Sequence, residues 1–464
     1  VLYKKGIGGY NNPNMPDSNL EKKRTVLYSL PGVDFLIAAV LAVVTIVLRL
    51  PYRTHYLFAW DSGTVALGTQ NFDLLAHEPH PPGYILYVLT AKVMAWFTGD
   101  VNASLVWISI IAAAGAVVAL YFLGKEMVNR RVGLIAALVL LFGKVFWANS
   151  EIAMSYTVLS FLMIVSVLIG YKFIKNPSRI AYLYWGSFFL ALAGGFRQDV
   201  LLFLIPFWLY VTLKFGRPYF WKSWGIIFAT SAAWLLGTVF WTGGFGSFFQ
   251  AMFSQVGYVG SFSVAEHGST GLVINYNLFM QFLTDSLKGT SLVIFFAGYL
   301  ISPKRIKNDP RLTALGLWAV PPILFYVFIH LGERGYLLSF LPAVILFLAW
   351  GMVWFADEIR SVWPRLGKFA GAVFLAGLTV ALLVYNARGF LVGQEFFTAA
   401  DLVRRDQLMA DKIERIGTTA PGEVYFLERE NYKQLHYYFP EHRIFPLPEE
   451  IPLDGTPTED LTTK

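Results

Sequence analysis

No cysteine occurs in the 464 residues, so disulfides and thiolate metal sites are excluded. Charge is scarce as well: Asp, Glu, Lys and Arg make up 14% of the chain, against 56% hydrophobic residues. An average soluble domain carries about 25% charged residues, so a soluble globular class is excluded and a polytopic membrane protein remains. The formal net charge of +7 does not point to nucleic acid. The basic residues fall in short loops between apolar stretches, where they record membrane topology.

The polar groups the chain does have are densest between Tyr56 and Tyr87, in YLFAWDSGTVALGTQNFDLLAHEPHPPGYILY. This stretch directly follows the first long apolar run, Val33 to Leu50. It holds Asp61, with Gly63 two residues on, and then His77, Glu78, His80, Pro81, Pro82 and Gly83. Such groups move protons, bind cations or hold anions, and the chemistry is placed here. Asp61 to Leu75 is too polar to span a bilayer, yet its Val, Ala, Phe and Leu residues supply one apolar face for a helix on the membrane surface. Gly83 to Phe97 falls short of the roughly 20 residues of a crossing. Two juxtamembrane helices are therefore expected, joined by the His-Pro-Pro-Gly turn, which cannot continue a helix.

The first span is read as retained, with Lys22, Lys23 and Arg24 ahead of it on the inside. Further spans are expected at about Leu105–Leu123, Val132–Ala148, Ile152–Tyr171, Ala181–Phe196, Val200–Leu213, Trp224–Trp241, Leu287–Ile301, Leu312–Leu331, Tyr336–Phe355 and Phe369–Tyr385. Alternating the loops puts Lys125/Arg130/Arg131, Lys172/Lys175/Arg179, Lys214/Arg217/Lys222, Lys304/Arg305/Lys307 and Arg360/Arg365/Lys368 on one side. The expected fold is thus an all-α membrane protein of about eleven spans, N-terminus inside and C-terminus outside. Its parts are a cytoplasmic N-terminal segment (residues 1–32), a transmembrane domain (33–387) whose first external loop is 51–104, and an external C-terminal module (388–464). Phe245–Asp285, rich in Gly, Ser and Asn, reads as a long external loop with a surface helix. In the C-terminal module, Glu423–Leu427 and Arg443–Leu447 read as strands around a short helical Asn431–Tyr437, a small α/β unit, and Leu453–Lys464 reads as disordered.

This topology leaves Arg53, Asp61, His77, Glu78, His80, Lys144, Glu151, Arg197, Asp199, His330, Glu333 and Arg334 facing outward or near the outer end of a span. Charges at membrane depth are costly and persist where they line a cavity or pair with one another. Several bases beside several acids at one level suit a phosphate-bearing lipid whose head sits at the interface.

Trp60-Asp61-Ser62-Gly63, followed some twenty positions later by His80-Pro81-Pro82-Gly83-Tyr84, resembles the first external loop of GT-C superfamily membrane glycosyltransferases. The likeness is strongest to protein O-mannosyltransferase-like families, with a pattern near W-D-S-G-E…H-P-P-G-Y-P. Ala191 to Arg197, and Glu333-Arg334-Gly335 through Pro342, look like downstream segments of the aminoarabinose-transferase and mannosyltransferase branch. The pattern is departed from at Thr64 and Ile85, in place of the Glu and Pro, at Arg197 in place of a Lys, at Gly335, which splits R-Y-L-L-P, and at Ser339 in place of its first Pro.

What the resemblance implies is transfer of a sugar from a polyprenyl-phosphate donor to an acceptor hydroxyl, on protein, glycan or lipid, outside the membrane and with inversion. Asp61 is then the general base and Glu151 a second acid, while His80, Arg197 and Arg334 hold the donor phosphate. No metal is assigned; if a divalent ion, Mg2+ or Mn2+, bridges Asp61 and phosphate, the loop offers Asp61, His77 and His80. Each residue also has a plainer role: Asp61 as a helix N-cap, His80 as a shaper of the Pro-Pro turn, Arg334 as an interfacial anchor. A catalytically silent subunit of a larger membrane assembly is the alternative function. A lipid or sugar transporter is a third, disfavoured by the lack of an internal repeat. The expected location is a bacterial cytoplasmic membrane.

Overall fold

The computed structural model describes residues 31–261, 263–289, 291–292, 309–362, 367–422, 425–428 and 430–446. The expected span Leu287–Ile301, the loop lysines and arginine at 304–307, most of the N-terminal segment and the tail from Leu453 lie wholly or largely outside these residues.

The helices follow the expected succession of apolar runs. They are α1 (Pro31–Arg49), α2 (Trp60–Gln70), α3 (Ile85–Thr98), α4 (Val101–Met127), α5 (Arg130–Phe142), α6 (Lys144–Asn149), α7 (Tyr156–Lys175), α8 (Ile180–Phe196), α9 (Gln198–Lys214), α10 (Phe220–Trp241), α11 (Phe245–Gly260), α12 (Val264–Ser286), α13 (Pro310–Phe328), α14 (Leu341–Val362), α15 (Gly367–Leu391), α16 (Ala399–Gly417) and α17 (Tyr432–Tyr438). Seven described helices, α1, α4, α7, α10 and α13 to α15, are long and apolar enough to cross a membrane, and α3 and α8 are shorter apolar helices. With an apolar surface that only lipid could cover, this is an integral, multi-pass membrane protein.

The core is built on α4, which packs against α1, α3, α5 and α7. Asn129 caps α5 by accepting from the Val132 amide at 3.0 Å. The hairpin closes because two glycines meet: a Cβ on Gly124 would lie 2.6 Å from the Gly133 Cα, and one on Gly133 would lie 2.3 Å from the Tyr121 carbonyl. At this end of the bundle Asp34 accepts from Lys125 at 2.6 Å and Arg130 at 2.9 Å, Arg131 pairs with Asp357, and Lys175 with Glu126. The basic loops therefore gather at one end of the bundle. The loops that carry Asp61, Ser155 and Arg197 gather at the other.

Three expectations are corrected. The Asp61 helix stops at Gln70 and does not lie on the membrane: Ser62 to Thr69 are all buried, because α17 covers it. A Cβ on Gly63 would stand 2.8 Å from the backbone of Lys433 and Gln434. Phe245–Asp285 is mostly helix rather than loop, α11 and then α12, which kinks at Gly268 with φ 56°. The span expected over Val132–Ala148 is broken at Gly143, between α5 and α6.

The C-terminal strand pair is present. Strands β1 (Tyr425–Glu428) and β2 (Arg443–Pro446) run parallel with Tyr425 opposite Arg443, and α17 lies between them in sequence. Met409, Ile416, Leu435 and Ile444 form their small core. The unit is clamped to the first loop by His55, whose amide and Nδ1 bond Asp406 at 2.9 Å, and by Lys433, which donates to Glu78 Oε1 at 2.7 Å and to the Ala76 carbonyl at 2.9 Å. Lys433→Ala is expected to cost about 3 kcal/mol, since it strands a partly enclosed carboxylate. Thermal unfolding of K433A and of the reversed pair K433E/E78K checks this, the reversed pair recovering part of the loss.

Candidate active site

Asp61 stands in the first turn of α2, where the helix N-terminus favours a carboxylate. The turn is held by Ser62 Oγ, which accepts from the Ala59 amide at 3.3 Å, and by Thr64 Oγ1, which donates to the Asp61 carbonyl at 3.0 Å. The chain then returns beneath α2. Asp73 and Glu78 pair backbone to backbone, and a Cβ on Gly68 would meet Pro79 at 2.6 Å. This return brings His80 back to Asp61: Nδ1 lies 3.7 Å from the carboxylate and 3.4 Å from Thr64 Oγ1, and Nε2 lies 3.0 Å from the Tyr84 hydroxyl.

Arg197 reaches the same place from the opposite side. It sits in extended backbone between α8 and α9, and its side chain is only 6% exposed. The guanidinium donates to Ser155 Oγ at 2.6 Å and to Asp199 at 2.9 Å. Its Cζ stands 5.3 Å from the centre of the Tyr84 ring and 5.0 Å from that of Tyr156. A planar cation sandwiched by rings keeps one orientation, which lysine would not.

Asp61, His80, Tyr84, Ser155, Tyr156 and Arg197 line one small cavity of about 20 Å³, room for about one water. On the far side of His80, Tyr84 and Arg197 lies a larger chamber of about 170 Å³, which adds Gln198, Asp199 and His330 and the apolar Leu202, Phe203 and Phe325. A phosphate held at Arg197 would thus have a polar side, facing Asp61, and a partly apolar side.

Two expected site residues are placed elsewhere. Glu151 is buried but turned from the cavity: its carboxylate accepts from Trp147 Nε1 at 2.9 Å and feels the charge of Arg49, whose guanidinium lies over the Trp147 ring at 4.9 Å. What reaches the cavity is the loop just after it, Ala153 to Ser155. Arg334 also points away. It donates to Asp285 at 3.2 Å and stacks over Phe282, and Lys144 and Lys288 converge on the same Asp285 at 3.9 and 3.5 Å.

His77 does not line the cavity; burial, then the nearby His80 and Lys433, lowers its pKa. Among the described residues no group of three or more His, Asp or Glu side chains converges as a metal-ligand set. Mg2+ and Mn2+ want mostly oxygen ligands, and Asp61 with one imidazole does not supply them, so no step is routed through a metal.

Glu333 is the acid that the sequence pattern left without a role. It precedes the 3-10 turn Arg334–Ser339 and lies close enough to Tyr156 for a hydrogen bond. Burial first, and the Asp61 charge second, raise its pKa from an ordinary 4.5 to about 7. The folded chain therefore keeps a proton between these values that the unfolded chain has released, and stability falls as pH rises through that window. Glu333→Gln is expected to melt with the parent protein near pH 4.5 and above it near pH 8; identical curves at both would refute the shift.

The likenesses to known proteins follow this geometry. The fold is that of GT-C membrane glycosyltransferases. ArnT from Cupriavidus metallidurans, solved bound to undecaprenyl phosphate, aligns over 91% of this chain and 87% of its own, at 12% identity and a TM-score of 0.57. The Archaeoglobus fulgidus oligosaccharyltransferase, in complex with Zn and sulfate, aligns over 89% of this chain at 16% identity and a TM-score of 0.53. The archaeal oligosaccharyltransferase AglB from Archaeoglobus fulgidus, in complex with an inhibitory peptide and a dolichol-phosphate, aligns over 90% of this chain at 14% identity and a TM-score of 0.51. The chain spans 62% of the length of the first archaeal structure. In sequence, the family model of the protein O-mannosyl-transferase TMEM260 N-terminal domain matches residues 75–217, a segment that contains His80 and Arg197 but neither Asp61 nor Glu333. No curated protein matches this chain in sequence.

Proposed function

We propose that this protein transfers a sugar from a polyprenyl-phosphate donor to an acceptor hydroxyl on the extracytoplasmic side of the membrane. The observation that carries the proposal is the convergence, around one cavity, of a carboxylate, an imidazole 3.7 Å from it, and a buried, doubly stacked arginine.

In the proposed reaction the acceptor oxygen attacks the anomeric carbon as the bond from that carbon to the phosphate oxygen breaks. Asp61 takes the hydroxyl proton, and the polyprenyl phosphate leaves with the bonding electrons. A single displacement of this kind inverts the anomeric centre. Arg197 supplies fixed positive charge where the leaving phosphate gains negative charge, and because Asp199 and Ser155 already hold it, little reorganisation is needed. His80 donates to a phosphate oxygen while Tyr84 fixes its ring. The partly apolar chamber beside Leu202 and Phe203 leads from the phosphate toward the donor's first isoprene units. The TMEM260 match favours a mannosyl donor and a protein hydroxyl. The basic loops at the opposite end of the bundle support the extracytoplasmic side, and a bacterial cytoplasmic membrane is the proposed location.

The test is turnover in nanodiscs with a radiolabelled polyprenyl-phosphate mannose and a peptide rich in Ser and Thr. Label in the peptide, matched by free polyprenyl phosphate, is expected. A donor that binds and is never consumed across a panel of acceptors would favour the silent-subunit reading.

A further inference from the structure

At the basic end of the bundle, opposite the Asp61 cavity, α5, α14 and α15 enclose a groove of about 450 Å³. Its walls are apolar: Leu134, Ile135 and Leu138 on α5 face Ala372, Leu375 and Ala376 on α15. The helices α14 and α15 pack against each other, most closely where a Cβ on Gly371 would meet the Ala356 carbonyl at 2.5 Å, with Phe355 of α14 against Phe374 of α15 at 5.2 Å between ring centres. From Gly371 to Val380 and Leu383 the α15 wall runs about 18 Å at 1.5 Å per residue, the reach of an extended acyl chain.

The mouth is charged. Arg131 makes two bonds to Asp357, at 3.0 and 2.7 Å, and Arg360 also lines the opening. Arg360 is exposed and makes no ion pair with any described residue. Two arginines and one aspartate leave a net positive mouth above an apolar slot, on the side where the other basic loops gather. Basic pockets between membrane helices on that side take anionic headgroups.

We infer that this groove is a binding site for one anionic phospholipid of the leaflet at the basic end, with its phosphate on Arg360 and Arg131 and an acyl chain along α15. The site lies apart from the proposed transfer centre and does not depend on it. The full-length protein is reconstituted with equal parts phosphatidylglycerol and phosphatidylcholine, and the retained lipid is weighed by native mass spectrometry. One phosphatidylglycerol should be kept in preference to phosphatidylcholine. R360Q, which spares the Arg131–Asp357 pair, should weaken that preference about fivefold. A372F/A376F, at exposed positions that line the slot, should abolish retention of either phospholipid while the melting temperature holds. Equal retention of the two phospholipids, an unchanged preference in R360Q, or a retained polyprenyl phosphate in place of a phospholipid overturns the inference. Should the double phenylalanine variant misfold, R360Q alone decides.

Discussion

Asparagine at position 61 should lower sugar transfer by about 10²–10⁴-fold, the usual worth of a positioned general base, while donor binding stays within a few-fold of the parent protein. The two side chains have the same shape, so the cavity keeps its walls, but an amide cannot take the acceptor's proton. The local fold has little reason to fail. The carboxylate is 32% exposed, and the turn that carries it is held by Ser62 and Thr64. The helix-terminus interaction lost is worth only about 0.3–1 kcal/mol. Initial rates, donor affinity and melting temperature measured together separate the outcomes. A rate that falls with an unchanged melting temperature and an intact donor complex identifies a proton acceptor. Undiminished transfer would remove Asp61 from the mechanism, and a collapsed melting temperature would give it a structural role in the first turn of α2, where Ala59 and not Asp61 is the N-cap.

Asp61, His80 and Arg197 are legible in the sequence for different reasons. The first two sit in a loop whose composition stands out from the greasy spans, and Pro81, Pro82 and Gly83 announce that no helix passes through. Arg197 stands out as a charge between two apolar runs, and a charge there needs a polar reason. Direction is what the pattern does not carry. Glu151 and Arg334 sit at the same level as the cavity, yet Glu151 turns to Trp147 and the charge of the remote Arg49, and Arg334 to the remote Asp285; the direction in which each turns is not written in its position along the chain. Glu333 has the opposite history: one residue before Arg334, it lies near Tyr156 because the 3-10 turn reverses the chain there.

The helices of Phe245–Ser286 are hidden for a compositional reason. Gly, Ser and Asn favour turns; α12 overrides that preference by packing on α13 and the Arg334–Ser339 turn, while α11 buries only Phe248 and Ala251. The short strands and α17 were legible as local pattern. Their seat on α2 was not, because it depends on the absence of a side chain at Gly63 and on Lys433 meeting Glu78 across 355 positions.

Arg197 carries the second large effect. In the proposed reaction it does two things, holding the donor phosphate and stabilising it as it leaves, so its loss should appear in both affinity and rate. Replacement by glutamine removes a charge-assisted contact worth about 1.5–3 kcal/mol, a loss of roughly 10- to 150-fold in donor affinity. A further loss in the transfer step of about 10²-fold is expected, by analogy with removing one electrostatic donor from a preorganised site. Lysine is the sharper probe. It keeps the charge but cannot donate to Ser155 and Asp199 together while stacked between Tyr84 and Tyr156, so R197K should retain much of the binding and recover less of the rate. The confounding effect is structural, since R197Q leaves Asp199 partly buried without its partner. The double variant R197Q/D199N removes that stranded charge. If it restores the melting temperature of R197Q without restoring donor binding, the arginine acts on the phosphate. If binding returns with stability, Arg197 and Asp199 are a structural pair and the phosphate is held by other groups.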